Sequence, residues 1–237
     1  MREAGRIAAL ALRVARDAAR PGISTAEIDA LAEAAIRAEG AIPAFKGYGG
    51  FPATICASVN EQVVHGIPSS KVILREGDIF TIDVGAIYNG FYGDNADTVA
   101  VGAVDARSAS LIETTRKALY AGISRCVAGN RLGDVSAAIG AVGDAAKLGI
   151  VREYVGHGIG RQMHEDPNVP NYGRAHSGPV LKEGMVIAIE PMFNLGGDAV
   201  RVLADGWTVV TADGSRSAQI EHTVAITADG PVILTKE

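Results

Sequence analysis

Four segments carry apolar residues at the three- and four-residue spacing of a buried helix face. The pattern predicts helices over 1–19 and 24–40 in the first half of the chain, and over 106–128 and 133–148 in the second. Pro21 and Gly22 end the first helix. Ser24-Thr25-Ala26-Glu27 has the form of a capping box, in which a serine and a glutamate satisfy the first backbone amides, and it begins the second.

Runs of alternating or continuous apolar residues predict strands between and after these helices. The predicted strands cover 54–59, 78–86, 91–102, 151–155, 184–190, 206–212 and 217–227, and 41–53 is a loop. The order helix, helix, strands therefore occurs twice. It predicts an α+β fold with two related halves, about 1–105 and 106–237, in a single domain 1–237 because no linker separates them.

Composition narrows the class of protein. Apolar residues make up 48% and charged residues 21%, as in ordinary globular proteins. A net charge of −5 without a basic run argues against a nucleic-acid binder, and no apolar run is long enough to span a membrane. Two distant cysteines, Cys56 and Cys126, form no disulfide framework, so we expect a cytoplasmic protein. We also expect a monomer, because no long apolar surface helix requires a partner.

The most informative local pattern is a predicted hairpin. Asn89-Gly90 lies between apolar strands, and this pair favours a two-residue turn because both residues tolerate positive φ. Such a turn places Gly85 opposite Asp94, with Asp83 on the same face as Gly85. Asp83 and Asp94 are then diagonal neighbours about 7–8 Å apart, within joint reach of a metal ion. Gly85 is expected to leave room for that ion.

An alternative is that Asp83 and Asp94 are two solvated aspartates on a surface hairpin. The apolar residues 79–82 that precede Asp83 argue against it, because an unpaired carboxylate among buried residues is costly. Two carboxylates this close also repel each other unless a cation lies between them.

Further candidate ligands occur in the second half. His157 lies between glycines in Gly156-His157-Gly158-Ile159-Gly160, and His164 follows seven residues later. Glu190 and Glu221 each adjoin an apolar strand. Taken singly, each could be a structural or exposed residue. Together, two aspartates, one histidine and two glutamates suit Mn²⁺, Fe²⁺, Co²⁺ or Zn²⁺, and bridging carboxylates hold paired ions about 3.5–4 Å apart in binuclear hydrolases.

An ordered set of motifs resembles the signatures of type I methionine aminopeptidases. The motifs are Ser58-Val59-Asn60-Glu61 leading to His65-Gly66-Ile67-Pro68, Ile82-Asp83-Val84, Gly93-Asp94, Gly156-His157-Gly158-Ile159-Gly160, Ile189-Glu190-Pro191-Met192 and Glu221-His222-Thr223. They follow the family's order over most of the chain. Only 30 residues separate Glu190 from Glu221, which leaves no room for the helical insertion of the type II enzymes.

The resemblance implies the pita-bread fold, with two pseudo-symmetric halves around a curved antiparallel sheet. It implies two divalent ions held by Asp83, Asp94, His157, Glu190 and Glu221, with Asp94 and Glu221 bridging. It also implies that Glu190 shuttles protons, that His65 contacts the scissile amide, and that His164 stabilises the tetrahedral intermediate.

The same resemblance assigns the remaining site residues. A methionine pocket is implied at Phe45, Tyr48, Phe51, Cys56, Met163 and Trp207, beside His65 and His164, and a monovalent-cation site at Asn60 and Ser217. The implied activity is removal of the initiator methionine from nascent chains in the cytoplasm, with possible ribosome contact.

Three other interpretations stay open at this point. Prolidases and proline aminopeptidases use the same five ligands, although Cys56 and Trp207 favour methionine. A pita-bread domain can instead bind a protein partner, but such domains characteristically lose metal ligands. The third interpretation is a structural globule with chance motifs, which the ordered set makes remote.

Overall fold

Four α-helices are present in the computed structural model, which describes residues 1–236. They are α1 (Arg2–Ala18), α2 (Thr25–Ala38), α3 (Ala106–Ile123) and α4 (Leu132–Ala146). The capping box is formed as predicted, because Ser24 Oγ accepts from the Glu27 amide and the Glu27 carboxylate accepts from the Ser24 amide. The third helix is shorter than predicted. The chain beyond Ile123 turns away, and the Gly129 amide donates to the Leu181 carbonyl instead of continuing the helix.

Fifteen strands are described. They are β1 (Ile42–Pro43), β2 (Ile55–Val59), β3 (Gln62–Val64), β4 (Ile79–Tyr88), β5 (Phe91–Ala100), β6 (Gly149–Ile150), β7 (Gly156–Gly158), β8 (Glu165–Val169), β9 (Val186–Ile189), β10 (Met192–Asn194), β11 (Val200–Val202), β12 (Val209–Thr211), β13 (Ser217–Gln219), β14 (Glu221–Thr227) and β15 (Gly230–Ile233).

The largest sheet is antiparallel and has the order β1-β4-β5-β14-β9-β7-β8, with β2 paired to β4 and β15 paired to β14. Two three-stranded sheets, β13-β10-β6 and β11-β12-β3, complete the fold. The predicted α+β class is confirmed.

Two strand predictions are wrong. Residues 151–155 connect β6 to β7 and are not themselves a strand. Val151 is buried, but Arg152 and Glu153 are exposed, so the segment lacks the continuous apolar run of a buried strand. The predicted strand 217–227 is two strands in different sheets. They separate at Ile220, whose amide donates to the Pro191 carbonyl rather than to a strand of the large sheet.

Two apolar cores lie against the helices. In the first, Ile82, Val84 and Ala86 of β4 pack with residues of α1 and α2. In the second, buried residues of β9 and β14 pack with those of α3 and α4. Because side chains alternate along a strand, residues such as Asp83 face away from these cores. Among the described helices, none is both long and apolar enough to cross a membrane.

Candidate metal centre

The β4–β5 hairpin forms with the predicted register. Gly85 pairs with Asp94 and Asp83 pairs with Ala96, so the two aspartates are diagonal neighbours on one face. The turn residues have positive φ, 50° at Asn89 and 76° at Gly90. This part of the candidate site follows from local sequence alone.

The space next to Gly85 does not hold an ion. A Cβ atom at Gly85 would lie 2.8 Å from Phe45 Cε1 and 2.9 Å from Ala44 Cβ. The prediction of room for an ion at Gly85 is therefore wrong. The absent side chain instead lets the 44–45 segment pack directly on the hairpin.

The order of the large sheet brings the five predicted ligands together. They lie on or directly after the consecutive strands β4, β5, β14, β9 and β7, in the order Asp83, Asp94, Glu221, Glu190, His157. All five line one cavity of about 190 Å³. Asp83 and Glu221, which are 138 positions apart in sequence, thus line one cavity because of strand pairing.

The side-chain geometry fits a cation. His157 Nε2 lies 3.7 Å from both Asp94 Oδ2 and Glu190 Oε1. One ligand atom each of Asp94, His157 and Glu221 lie within 4.8 Å of one another. Asp83 Oδ1 and Glu221 Oε1 are buried and have no hydrogen-bond partner among the described residues, which is costly unless an ion binds them.

Burial and mutual repulsion perturb the carboxylates strongly. Burial, reinforced by the neighbouring carboxylates, raises the pKa of Asp83, Glu190 and Glu221 well above the ordinary range. Burial raises the pKa of Asp94 to about 7. Four buried carboxylates hold negative charge near neutral pH only when cations compensate it.

Hydrogen bonds orient several of the ligands. His157 Nδ1 lies 2.9 Å from the Gly158 carbonyl, so Nδ1 carries the proton and Nε2 presents its lone pair to the carboxylates. Thr223 Oγ1 accepts from the Asp94 amide and donates to the Asp94 carbonyl, which joins β5 to β14. Gln219 Nε2 donates to Glu190 Oε2 at 3.3 Å. Gln219 lies in no recognisable motif, so the sequence did not predict this contact with Glu190.

An apolar pocket adjoins the ligands. Phe45, Phe51, Cys56 and Met163 are buried in one cluster, with Trp207 packed against it. The Phe51 and Trp207 rings meet edge to face with centroids 5.2 Å apart. Cys56 pairs directly with Asp83 across β2 and β4, so the pocket and the ligand cluster share a wall.

Cys56 stays a neutral thiol in this setting. Burial, together with the charges of Asp83 and Asp94, raises the pKa of the Cys56 thiol well above its usual range. A neutral thiol is a small polarisable surface suited to an apolar or thioether group.

Two further histidines stand at the mouth of the pocket. The His164 ring lies 4.3 Å from that of His157, and His164 Nδ1 is 2.7 Å from Tyr48 Oη. His65 contacts Trp207 and Tyr154 edge to face, at centroid distances of 6.3 and 5.6 Å. Burial lowers the pKa of His65 and of His164 to about 4. The neighbouring His164 adds a smaller decrease in the pKa of His65, and His157 does the same for His164. Both imidazoles are therefore neutral near pH 7.

All predicted metal and methionine-pocket residues line the same cavity, together with Gly49. Gly49 and Tyr154 were not among the predicted residues. The Trp207 ring lies 3.4 Å from the position a Gly49 Cβ would take, so glycine admits the indole. A lone glycine and a lone tyrosine carry no sequence signal that distinguishes such roles.

The predicted cation-site residues lie outside this cavity. The Ser217 amide donates to the Asn60 carbonyl at 2.9 Å, so the two residues are adjacent. Cation binding at Asn60 and Ser217 stays a prediction.

Comparison with known proteins agrees with this geometry. The model of metallopeptidase family M24 matches residues 1–228. A methionine aminopeptidase of Clostridium acetobutylicum is 52% identical over 235 residues, covering 99% of this chain and 94% of the relative. The crystal structure of methionine aminopeptidase from Thermotoga maritima has a TM-score of 0.99 at 47% identity and covers 100% and 95% of the two chains. A prolidase from Pyrococcus furiosus has a TM-score of 0.78 at 26% identity, covering 100% of this chain and 62% of the prolidase.

Proposed function

We propose that this chain, which belongs to metallopeptidase family M24 and has the pita-bread fold, removes the N-terminal methionine from polypeptides in a metal-dependent reaction. The observation that carries the proposal is that the buried carboxylate–histidine cluster opens into the apolar pocket around Cys56 and Trp207. The pocket suits one unbranched apolar side chain with a thioether, and the ligand cluster suits hydrolysis beside it.

The proposed metal content is two divalent ions, with Mn²⁺, Fe²⁺, Co²⁺ and Zn²⁺ all compatible with the ligands. Asp83 would hold one ion, His157 and Glu190 the other, and Asp94 and Glu221 both. Charge supports this count, because four buried carboxylates carry the charge that two divalent cations balance. When bound, such ions lower the pKa of a water molecule and polarise the scissile carbonyl.

The protein side chains then have the following roles. Glu190 accepts a proton at its carboxylate and returns it to the leaving amine, for which a raised pKa is favourable. His164, with Nδ1 bonded to Tyr48 Oη, presents an Nε2–H that donates to the carbonyl oxygen as negative charge develops there. His65, whose ring meets that of Trp207 edge to face, contacts the amide nitrogen of the scissile bond.

The wider setting is proposed on the same basis. We propose a single catalytic domain of two related halves, 1–105 and 106–237, that acts as a monomer on nascent chains in the cytoplasm. Ribosome contact and a monovalent cation at Asn60 and Ser217 belong to the same proposal.

The decisive experiment compares the peptides Met-Ala-Ser, Ala-Ala-Ser and Ala-Pro-Ser after metal removal and addition of Mn²⁺, Co²⁺, Fe²⁺ or Zn²⁺. We expect metal-dependent release of methionine alone. Asp94→Ala should lower kcat/KM by about a thousandfold, or about 4 kcal/mol, whereas Asp229→Ala, which removes an exposed carboxylate, should not change it.

Each contrary result has a distinct meaning. Cleavage only before proline would replace the proposed substrate while keeping the metal centre. Full activity of metal-loaded Asp94→Ala would contradict the ligand assignment itself.

A further inference from the structure

Trp207 reaches the apolar pocket from a short surface loop. The loop, residues 203–208, joins β11 to β12, and its residues 204–206 are exposed. Exposed residues bury little apolar surface, so a loop of this kind is held mainly by its hydrogen bonds. The position of the indole therefore depends on how the loop backbone is fixed.

Backbone hydrogen bonds close the turn within this loop. The Leu203 amide donates to the Thr208 carbonyl at 2.8 Å, and the Gly206 amide donates to the Leu203 carbonyl at 3.0 Å. Gly206 has a φ of 78°, in the left-handed region that glycine adopts without strain. These bonds set the path of the turn, but they do not involve the Trp207 amide.

The carboxylate of Asp205 fixes the part of the loop that bears the indole. Its Oδ1 accepts from the amides of Trp207 and Thr208 at 2.9 and 2.8 Å, and its Oδ2 accepts from Thr208 Oγ1 at 2.6 Å. The Thr208 hydroxyl, followed by the two amides, lowers the pKa of Asp205. The carboxylate is therefore ionised near neutral pH, and an ionised acceptor makes the stronger hydrogen bonds.

The indole held in this way contacts two rings of the candidate site. The Trp207 ring meets that of Phe51 edge to face at a centroid distance of 5.2 Å, and that of His65 at 6.3 Å. Strand pairing explains the second contact, because β12 pairs with β3 through Val209 and Val64 and the residues next to this pair meet at the pocket. A displaced indole would change both the pocket wall and the surroundings of the His65 imidazole.

The residue at position 49 does not restrain the indole with a side chain. Gly49 approaches the ring with backbone alone, and the Trp207 Cη2 atom lies 3.4 Å from the position a Gly49 Cβ would take. Restraint of the indole by its own loop is correspondingly more important.

We propose that Asp205 is a positioning residue for the proposed methionine pocket, and that its carboxylate holds the Trp207 indole against Phe51 and His65. The inference rests on the proposed function for the role of the pocket, whereas the positioning itself is a property of the loop. Asp205 does not line the cavity, so it acts through Trp207 and not by contact with the substrate.

Trp207 is the only tryptophan of the chain, so its fluorescence reports the surroundings of the indole without any assay of activity. The experiment compares wild type with Asp205→Ala, as full-length chains with Mn²⁺ and again in chelator. It measures tryptophan emission, quenching by acrylamide, and kcat and KM for Met-Ala-Ser. We expect Asp205→Ala to emit at longer wavelength and to be quenched more. Its KM should rise at least about fivefold with a smaller change in kcat, because the wall binds the methionine side chain equally in the ground and transition states.

Two further variants separate positioning from general loosening of the chain. Asp205→Asn retains an oxygen for the two amides and should keep the emission and a KM within about twofold of wild type. Asp213→Ala is the matched control, because Asp213 is a turn carboxylate outside the cavity that accepts from the Gly197 and Ser215 amides at 2.8 and 2.9 Å. It should leave the emission of Trp207 and the KM unchanged even where Tm falls. Asp205→Ser, with a shorter acceptor and the same direction of effect, serves if Asp205→Ala does not fold.

Unchanged emission or an unchanged KM in the folded Asp205 variant would overturn this role of Asp205, and so would equal effects of Asp213→Ala. Failure of the proposed function is distinguishable, because the wild-type chain would then release no methionine from Met-Ala-Ser with any of the four metals. The fluorescence comparison of the variants would still decide whether Asp205 positions the indole.

Discussion

At the scale of single residues, His65 is held in a conformation that ordinary side chains avoid. Its φ is 60°, in the left-handed region, directly before Gly66. A Cβ atom at Gly66 would lie 2.3 Å from the Ala57 carbonyl oxygen, so the chain passes close to β2 here. This close approach forces the backbone and aims the imidazole between Trp207 and Tyr154. Backbone strain of this kind is characteristic of functional positions.

Replacement of His65 separates strain from chemistry. We expect His65→Gly to be more stable than His65→Ala by about 1 kcal/mol, because only glycine adopts positive φ without cost. Urea denaturation measures the difference, and both variants should hydrolyse Met-Ala-Ser slowly. Ser110 is an exposed position of α3 and serves as the control. There the order of stability should reverse, with Ser110→Ala more stable than Ser110→Gly. The same order at both positions would contradict the interpretation.

Tyr48 is predicted to position His164. In Tyr48→Phe the 2.7 Å bond to His164 Nδ1 is lost, so the imidazole proton is no longer held on Nε2. We expect a loss of roughly tenfold in kcat, as for one hydrogen bond, with KM for methionyl peptides nearly unchanged. Nitrogen NMR of the histidine rings should show a mixture of tautomers at His164. An unchanged tautomer in the variant would remove this role from Tyr48.

At the scale of elements, the β4–β5 hairpin carries two predicted metal ligands and also forms a packing surface. One face presents Asp83 and Asp94. Because Gly85 has no side chain, Ala44 and Phe45 pack into the space beside it. The same hairpin therefore positions two predicted ligands and one wall of the apolar pocket.

Gly85→Ala should disturb the pocket. The added Cβ would lie 2.8 Å from Phe45 Cε1, and such overpacking costs about 1–3 kcal/mol. We expect lower stability in urea and a higher KM for methionyl peptides as Phe45 moves. The control is Gly140→Ala in α4, where the nearest atoms lie at 3.4 Å and alanine favours the helix. A fully stable Gly85→Ala with an unchanged KM would show that the contact is not tight.

At the scale of the whole molecule, the candidate metal centre joins residues from both predicted halves of the chain. Asp83 and Asp94 come from the first half, and His157, Glu190 and Glu221 from the second, across the β5–β14 pairing. Folding without a cation therefore gathers four carboxylates from distant segments into one buried cluster. Metal binding and the stability of the whole chain are expected to be linked.

Stability of the metal-free chain should fall as pH rises from 6.5 to 8. The pKa of Asp94 is raised to about 7 by burial, and burial also raises the pKa values of Asp83, Glu190 and Glu221 well above the unfolded values. The folded chain thus binds more protons than the unfolded chain in this range, and stability falls with pH. Burial lowers the pKa of His65, His164 and His222 to about 4, so they oppose the trend only below about pH 6.5.

Calorimetry in chelator at pH 6.5, 7.2 and 8 measures this trend. Asp94→Asn should flatten it, because the amide does not titrate. With excess divalent ion the trend should weaken or reverse, since protons compete with the ion for the same ligands. A metal-free Tm that rises over this range would contradict the raised carboxylate pKa values.

Local sequence predicted the parts of the molecule that local physics controls. Helical periodicity and the Ser24 capping box located the four helices. Asn89-Gly90, with the two-residue period of a strand, set the hairpin register and placed Asp83 and Asp94 on one face. The family motifs then indicated which distant residues join them, and the peptidase family and the activity they implied agree with the comparisons.

Tertiary structure decided what depends on contacts between distant segments. Strand order, set by long-range pairing, brings His157, Glu190 and Glu221 beside the hairpin. Packing fills the space at Gly85 with Phe45, leaves 151–155 as a connection between β6 and β7, and places Gln219 and Tyr154 at the site. Such contacts depend on which surfaces meet in the folded chain, and no period or turn signal along the sequence encodes that.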